Sequence, residues 1–465
     1  MEFLLQEEEK IRNADDNNLP THTLPTSLSL LLTLESPDLV NHKPSSQDPL
    51  LLLKIMKVHR KKTSELPGRR AISLFAVLLV VGVAHAFSTT TSTTSGKFNP
   101  DKTLPLEGCV CLVTGASRGI GKGIAVELGG QGATVYVTGT SSSSSSILDD
   151  GTSKRKRWKF WTKQKRNQHT TTEKFAVSAD TGGPGTIEET AAAVTKAGGI
   201  GIPIRCNHAD DNQVRACIEQ IAEEQDGRLD ILVNNAFRVP TGGPKALMSK
   251  FWEQSLETWD AVHAVGLRSH YVTSVLAMPL LQKAKEDPHP GLPRPFIAMI
   301  SSFGGISYSF NVPYGVAKCA VDRLCKDMAV ELKDDISVVS FYPGLVKTER
   351  TDLSVESGDW EAYVKLPLDN SETPQFTGKA IVAVATDPTN LDKTGTYQVV
   401  AELAEEYNFV DINGKRPPSI RSLRFLLPTY GMTPEQRDQI DPDLIPDWKL
   451  PFFIMAGGKP PDQDD

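Results

Sequence analysis

Eight residues, Thr114-Gly115-Ala116-Ser117-Arg118-Gly119-Ile120-Gly121, constrain what this chain can fold into more than any other feature. They follow Cys109-Val110-Cys111-Leu112-Val113, a short apolar and β-branched run of the kind a buried parallel strand needs. A helical pattern through Ile124, Ala125 and Leu128 comes next, and Thr134–Gly139 reads as a second strand. Strand, glycine turn and helix in that order is the context a dinucleotide-binding turn requires. The glycines let the backbone approach a pyrophosphate, while the helix N-terminus offers N–H groups and the positive end of its dipole. The expected architecture is α/β: a Rossmann-type doubly wound parallel sheet, in a single domain over residues 101–425.

Further motifs follow at intervals, each at the end of an apolar run. Asn234-Asn235-Ala236 closes the run Leu229–Val233. Ser301-Ser302 closes Phe296–Ile300, and Tyr314 and Lys318 then stand one helical turn apart on a single face. Ile336–Phe341 leads into Tyr342-Pro343-Gly344-Leu345-Val346-Lys347-Thr348. A Tyr and a Lys four apart on a helix are by themselves usually a chance surface pair. With the glycine turn spaced Gly-x-x-x-Gly-x-Gly and every motif in series, the chain resembles the short-chain dehydrogenases/reductases. Val265–Tyr271, Phe310–Gly315, Ala383–Leu391 and Ile412–Lys415 sharpen the resemblance to one subgroup, over roughly residues 105–420.

The resemblance implies oxidoreductase chemistry between NADP(H) and a carbonyl or alcohol, with small hydrophobic ketones and steroid-like carbonyls as candidates. Tyr314 would be the general acid/base. The Lys318 ammonium would lower its pKa from near 10 and reach the nicotinamide ribose. Ser302 would hydrogen-bond the carbonyl oxygen, with Ser301 its close competitor. Gly115, Ser117, Arg118, Gly119, Ile120 and Gly121 would cradle the dinucleotide. Asn207 would accept from adenine, with Asp210 and Asp211 capping the next helix instead. Asn234 and Ala236 would lie at the ribose side, Thr348 would meet the carboxamide, and residues from about Glu349 to Pro374 would form a substrate lid. No acid follows the second strand, where Gly139-Thr140-Ser141 stands, and Arg118 is placed to meet a 2′-phosphate. NADP(H) is therefore favoured over NAD(H). Three residues depart from the family pattern: Asn207 stands where an adenine-binding Asp is usual, Phe237 where Gly is usual, and Gly266 where a water-holding Asn is usual. His263 and His270 nearby read as helix-surface residues. A low-turnover nucleotide-binding sensor or scaffold is the alternative function.

The remainder reads as addressing and linking sequence. Residues 71–86 form an apolar run behind a basic stretch, ending in Ala84-His85-Ala86, the layout of a secretory signal peptide. Met56 directly precedes the basic stretch, which makes it a candidate start of translation and residues 1–55 an artefact of the gene model. Phe87 and the hydroxyl-rich run after it resemble the bipartite presequences of algae with secondary plastids. Entry to the secretory pathway is expected, with the plastid as destination and the endoplasmic reticulum as the alternative. Residues 1–100 are then a targeting region. Residues 141–181 carry Ser141–Ser146 and a Lys/Arg run with Trp158, Phe160 and Trp161. They read as a solvated low-complexity insertion; contact with anionic lipid or nucleic acid is the competing reading. The net charge of −7 gives no basic excess for nucleic acid. In the tail, 426–465, the apolar Leu450–Met455 is too short to span a bilayer and suits a membrane surface or a cover over the substrate site. Cys109 and Cys111 point the same way, but no second pair completes a metal site, so buried free thiols and no metal are expected. The partners expected are a small molecule and, by the family's habit, a second copy of the chain.

Overall fold

The computed structural model describes residues 104–143, 184–239, 243–441 and 444–456. The signal-like segment 71–86 and positions 144–181 of the insertion lie outside them. All described residues belong to one compact unit.

The first βαβ unit forms as its pattern demands. Strand β1 is Val110–Val113, helix α1 Gly119–Gly130 and strand β2 Thr134–Gly139. Helix α2, Ile187–Ala197, begins with a capping box in which Thr186 and Glu189 satisfy each other's backbone N–H groups, and ends on left-handed Gly198. Strand β3 is Ile200–Arg205, helix α3 Asp211–Glu224 and strand β4 Ile231–Asn234. Asp210 caps α3 by accepting from Asn212 N, whereas Asp211 pairs with Arg268.

After β4 come helix α4 (Gly243–Met248), helix α5 (Leu256–His263), a π-helical turn (Ala264–Arg268) and helix α6 (Ser269–Glu286). Strand β5 (Phe296–Ile300), helix α7 (Val312–Leu332) and strand β6 (Ser337–Tyr342) follow. Helix α8 (Glu349–Glu356), helix α9 (Pro374–Thr386) and strand β7 (Tyr397–Val399) complete the sheet layer.

The strands pair in parallel in the order β3-β2-β1-β4-β5-β6-β7. This is the doubly wound sheet expected, buried on both faces. Alternation along β1 splits the core: Cys109, Cys111 and Val113 face the α1, α2 and α9 side, and Val110 and Leu112 the α3, α6 and α7 side. All six cysteines are free thiols; Cys319 is exposed and the other five are buried. Among the described residues no helix is long and apolar enough to cross a membrane.

The tail returns to the body. Leu423 N donates to Trp448 O, and Leu450 N to Arg421 O. Phe452 packs edge-on against Tyr397 of β7 at 4.8 Å, under the Arg421 guanidinium at 4.3 Å. Leu450–Met455 thus covers the β6–β7 edge of the sheet, and the fold continues beyond the boundary expected at 425.

Helix α1 is held by an unusually close crossing with α9. A Cβ built on Gly123 would meet the Pro374 carbonyl carbon at 2.2 Å and its oxygen at 2.3 Å. These are backbone atoms, so nothing short of moving α9 makes room. Gly123→Ala is expected to destabilise the protein by about 1–3 kcal/mol, as overpacking does, read as a lower denaturant midpoint. An unchanged midpoint would mean that α9 shifts at no cost.

Candidate active site

The chain reverses its direction of travel along the sheet between β3 and β4, so β1 and β4 lie side by side with their next connections on opposite faces. Ligands of open α/β sheets bind at the carboxyl ends of the strands at such a switch point. The turns after β1, β4, β5 and β6 all emerge there, and they carry the motifs singled out above.

The glycine turn is tied to β4 at its base. Thr114 Oγ1 donates to Val233 O (3.1 Å) and accepts from Asn235 N (2.9 Å) and Ala236 N (3.0 Å). Asn235 Nδ2 donates to Thr114 O (2.8 Å) and Gly115 O (3.0 Å). Gly115 and Gly119 have φ of 64° and 56°, the left-handed region that glycine adopts without strain. A Cβ on Gly121 would meet Asn235 Nδ2 at 2.4 Å. Ser117 O accepts from Thr190 Oγ1, and Ile120 packs against the core. Asn234, expected at the ribose side, has a fully buried side chain that donates to Ser274 Oγ at 2.9 Å. Strand parity sets it on the face of Leu232, toward α6, and Asn235 is the residue whose side chain ties the glycine turn.

Arg118 projects across the end of β2. Its Nη2 donates to Ser141 Oγ (2.7 Å) and Gly185 O (2.9 Å), which holds both ends of the insertion together. Its buried Nε has no partner. Asn207 lies past β3 with its Oδ1 already accepting from Ala209 N at 3.1 Å; the second lone pair is all it can offer elsewhere. Thr348 caps α8 by accepting from Thr351 N, and its Cγ2 lies 3.5 Å from where a Gly119 Cβ would stand. The next residue was missed as a site residue. Glu349 Oε2 accepts from Gly119 N at 2.9 Å, with Lys122 Nζ 3.9 Å from its other oxygen. A carboxylate accepting from the first N–H of α1 is the kind of partner that a helix N-terminus favours. Together with the close-approach glycines and Arg118, the head of α1 fits a dinucleotide phosphate.

Of the two serines after β5, Ser301 is buried and donates to Lys318 O (3.2 Å), whereas Ser302 Oγ accepts from Tyr314 OH (2.8 Å) and Gly304 N (3.1 Å). Asn311 caps α7 by accepting from Tyr314 N (2.9 Å), which fixes the start of the helix beneath the tyrosine. Phe310, held at a φ of 61°, and Phe237 both pack edge-on to the Tyr314 ring. A bulky residue at that φ is strained.

The electrostatics correct one expectation. Burial pushes the Tyr314 phenol up to about 12, against the lowering effect of the Ser302 hydrogen bond and with a further rise from the charge of Asp322. Lys318 Nζ donates to Ile300 O (2.8 Å) and lies 5.8 Å from the Tyr314 ring centroid. Burial pushes Lys318 down to about 8, partly offset by Asp322. Asp322, one turn beyond Lys318 on α7, accepts from Ser340 Oγ and Tyr342 OH, and burial raises its own pKa. An acid four residues past Lys318, on the inward face of the helix, was the signal for it. His270 is a second correction: it is buried, with Nε2 3.1 Å from Ala236 O and its pKa pushed by burial down to about 3, so it is neutral and not on the surface. His263 stacks on Trp259 at 3.8 Å.

The family model described as "Enoyl-(Acyl carrier protein) reductase" matches residues 176–400. The Mus musculus protein "Dehydrogenase/reductase SDR family member 1" is 36% identical over 333 residues, covering 70% of this chain and 89% of that protein. The Homo sapiens protein of the same name is 35% identical over 336 residues, with the same coverage of each, 70% and 89%. A solved short-chain type dehydrogenase/reductase from Mycobacterium marinum is 24% identical, with a TM-score of 0.46 over 64% of this chain and 95% of its own.

The Glu349 carboxylate competes with any anion at the head of α1. Glu349→Gln is expected to tighten binding of a pyrophosphate-bearing dinucleotide about two- to fivefold, the worth of one charge at a helix N-terminus. Isothermal titration of the full chain checks this. Equal affinities for the two proteins would mean that the carboxylate leaves the cradle without cost.

Proposed function

We propose, from the premise that this chain belongs to the short-chain dehydrogenase/reductase family, that it reduces small hydrophobic ketones or steroid-like carbonyls with NADP(H) in preference to NAD(H). Membership makes it an NAD(P)-dependent oxidoreductase acting on CH–OH/C=O groups. The observation that carries the reading is the meeting of the Tyr314 and Ser302 hydroxyls at 2.8 Å, beside the carboxyl ends of β4 and β5.

The glycine turn, Asn207, Asn234, Ala236, Thr348 and Lys318 would hold NADP(H), which would supply or accept the hydride when bound. Ser302 Oγ, fixed by Gly304 N, turns its own proton toward a carbonyl oxygen placed between the two hydroxyls. Tyr314 gives that oxygen a proton as the carbon is reduced, and takes one back in oxidation. A phenol near 12 is fully protonated at neutral pH, the state that reduction needs. The edge-on rings of Phe237 and Phe310 make the surroundings of that oxygen apolar, which supports a hydrophobic carbonyl. Arg118 supports NADP(H): its guanidinium lies at the end of β2, where a 2′-phosphate would stand, and a bidentate charge-assisted contact suits it.

Two further readings rest on less. Residues 71–95 support entry to the secretory pathway and a plastid destination, with the endoplasmic reticulum the other outcome of a fluorescent fusion. Exposed Tyr271 and Val275 on α6 and Val330 on α7 support a homo-oligomer, read by light scattering.

Loss of NADPH absorbance across a panel of ketones, quinones and steroids tests the main reading. Tyr314→Phe should abolish turnover and leave NADPH affinity within about twofold, since one neutral hydrogen bond is at stake. Undiminished turnover would remove Tyr314 from the reaction; dinucleotide binding without turnover on any carbonyl would favour the sensor. Arg118→Leu should weaken NADPH binding about ten- to a hundredfold, the value of a hydrogen bond to a charged group. NADH binding should barely change; an equal loss for both would refute the 2′-phosphate role.

A further inference from the structure

Phe237 and Gly266 depart from the family pattern independently in sequence, but the structure brings them together. Gly266 is buried inside the π-helical turn Ala264–Arg268. A Cβ built on it would meet Phe237 Cδ2 at 2.8 Å and Cε2 at 3.1 Å. The Phe237 ring therefore occupies the space that any side chain at position 266 would enter. Nothing larger than glycine fits opposite it unless the ring moves.

The ring has a second neighbour. Lys318 Nζ lies 5.1 Å from its centroid, within cation–π range, and the same ammonium donates to Ile300 O at 2.8 Å. Lys318 is only 6% exposed, so its charge must be stabilised by what surrounds it. The groups facing it are the Ile300 carbonyl from β5, the Phe237 face from the turn after β4, the Tyr314 ring and Asp322 from α7, and neutral His270 from α6. The same Phe237 ring makes a T-shaped contact with Tyr314, centroids 5.8 Å apart at 86°.

We propose that Phe237 is a positioning residue for the Lys318–Tyr314 pair, set into the space that a side chain at 266 would fill. Its ring holds the Lys318 ammonium and braces Tyr314 in a T-shaped contact, and Gly266 is the space the ring requires. The inference rests on the reading of Tyr314 and Lys318 as the reacting pair, and it makes the two departures one device. A π-helical turn without a side chain at its centre is then the means of admitting the ring.

Two experiments on the full chain test it. The first reads kcat/KM for NADPH-dependent carbonyl reduction against pH. Lys318 is charged below about 8 and neutral above, so the parental profile falls above that pH. A cation–π contact favours the charged form, so Phe237→Leu, which keeps the apolar volume but removes the π face, should move the fall to lower pH by about half a unit to one and a half units. Phe237→Tyr should restore it. Superimposable profiles for Phe237→Leu and the parent would overturn the proposal. The second needs no turnover. Gly266→Asn should lower the melting temperature by several degrees in the parent and much less in a Phe237→Gly background, because the clash is gone. Equal losses in both backgrounds would refute the pairing. If no carbonyl is turned over by the parent, the reductase reading fails, while this cycle still decides whether the two positions are coupled.

Discussion

The Thr114 hydroxyl joins the two halves of the sheet where the site depends on it. It spans β1 and β4 at the point where the chain reverses its direction across the sheet, donating to one strand and accepting from the turn of the other. Asn235 closes the same knot from the opposite side through Thr114 O and Gly115 O. These bonds fix the glycine turn as a rigid cradle, and α1 can then aim its N–H groups at an anion. The Gly123 crossing of α9 pins the far side of that helix. A binding site for a large charged ligand must be held in this way, because backbone N–H groups act only when their positions are set in advance.

Across the switch point the problem is a buried cation. Lys318 is put under the sheet's carboxyl ends, where desolvation opposes its charge, and the fold answers with a carbonyl, an aromatic face and a carboxyl one turn away. Asp322 shares its oxygens with Ser340 and Tyr342 and so couples α7 to β6. One of these groups, the Phe237 ring, also packs against the tyrosine. Chemistry and stability are carried here by one set of contacts.

Much of this was legible before any coordinates. Parallel strands buried on both faces give continuous apolar runs, and helices follow their turns with an apolar period, so β1, α1, β2, α7 and their motifs stand where the sequence puts them. The site was legible as a list of turns and less so as a list of side chains. Which of Ser301 and Ser302, and which of Asn234 and Asn235, is turned into the core depends on strand parity, where one residue is the difference between core and cleft. His270 was misread because a helix's inward face is defined by what packs on it. The tail has the same limit: an apolar hexapeptide says that it must be covered, not what it packs against.

The sequence by itself determined the fold class and the order of the motifs, because both rest on local periodicity and on residue types a few positions apart; the oxidoreductase chemistry came through the family resemblance that those motifs carry. Tertiary structure alone decided the rest. It set Glu349 on Gly119, 230 residues away, turned Lys318 toward Ile300, and put Phe237 into the space beside Gly266. Such contacts depend on which side chains meet when distant segments are packed to crystal-like density, and no spacing along the chain records that.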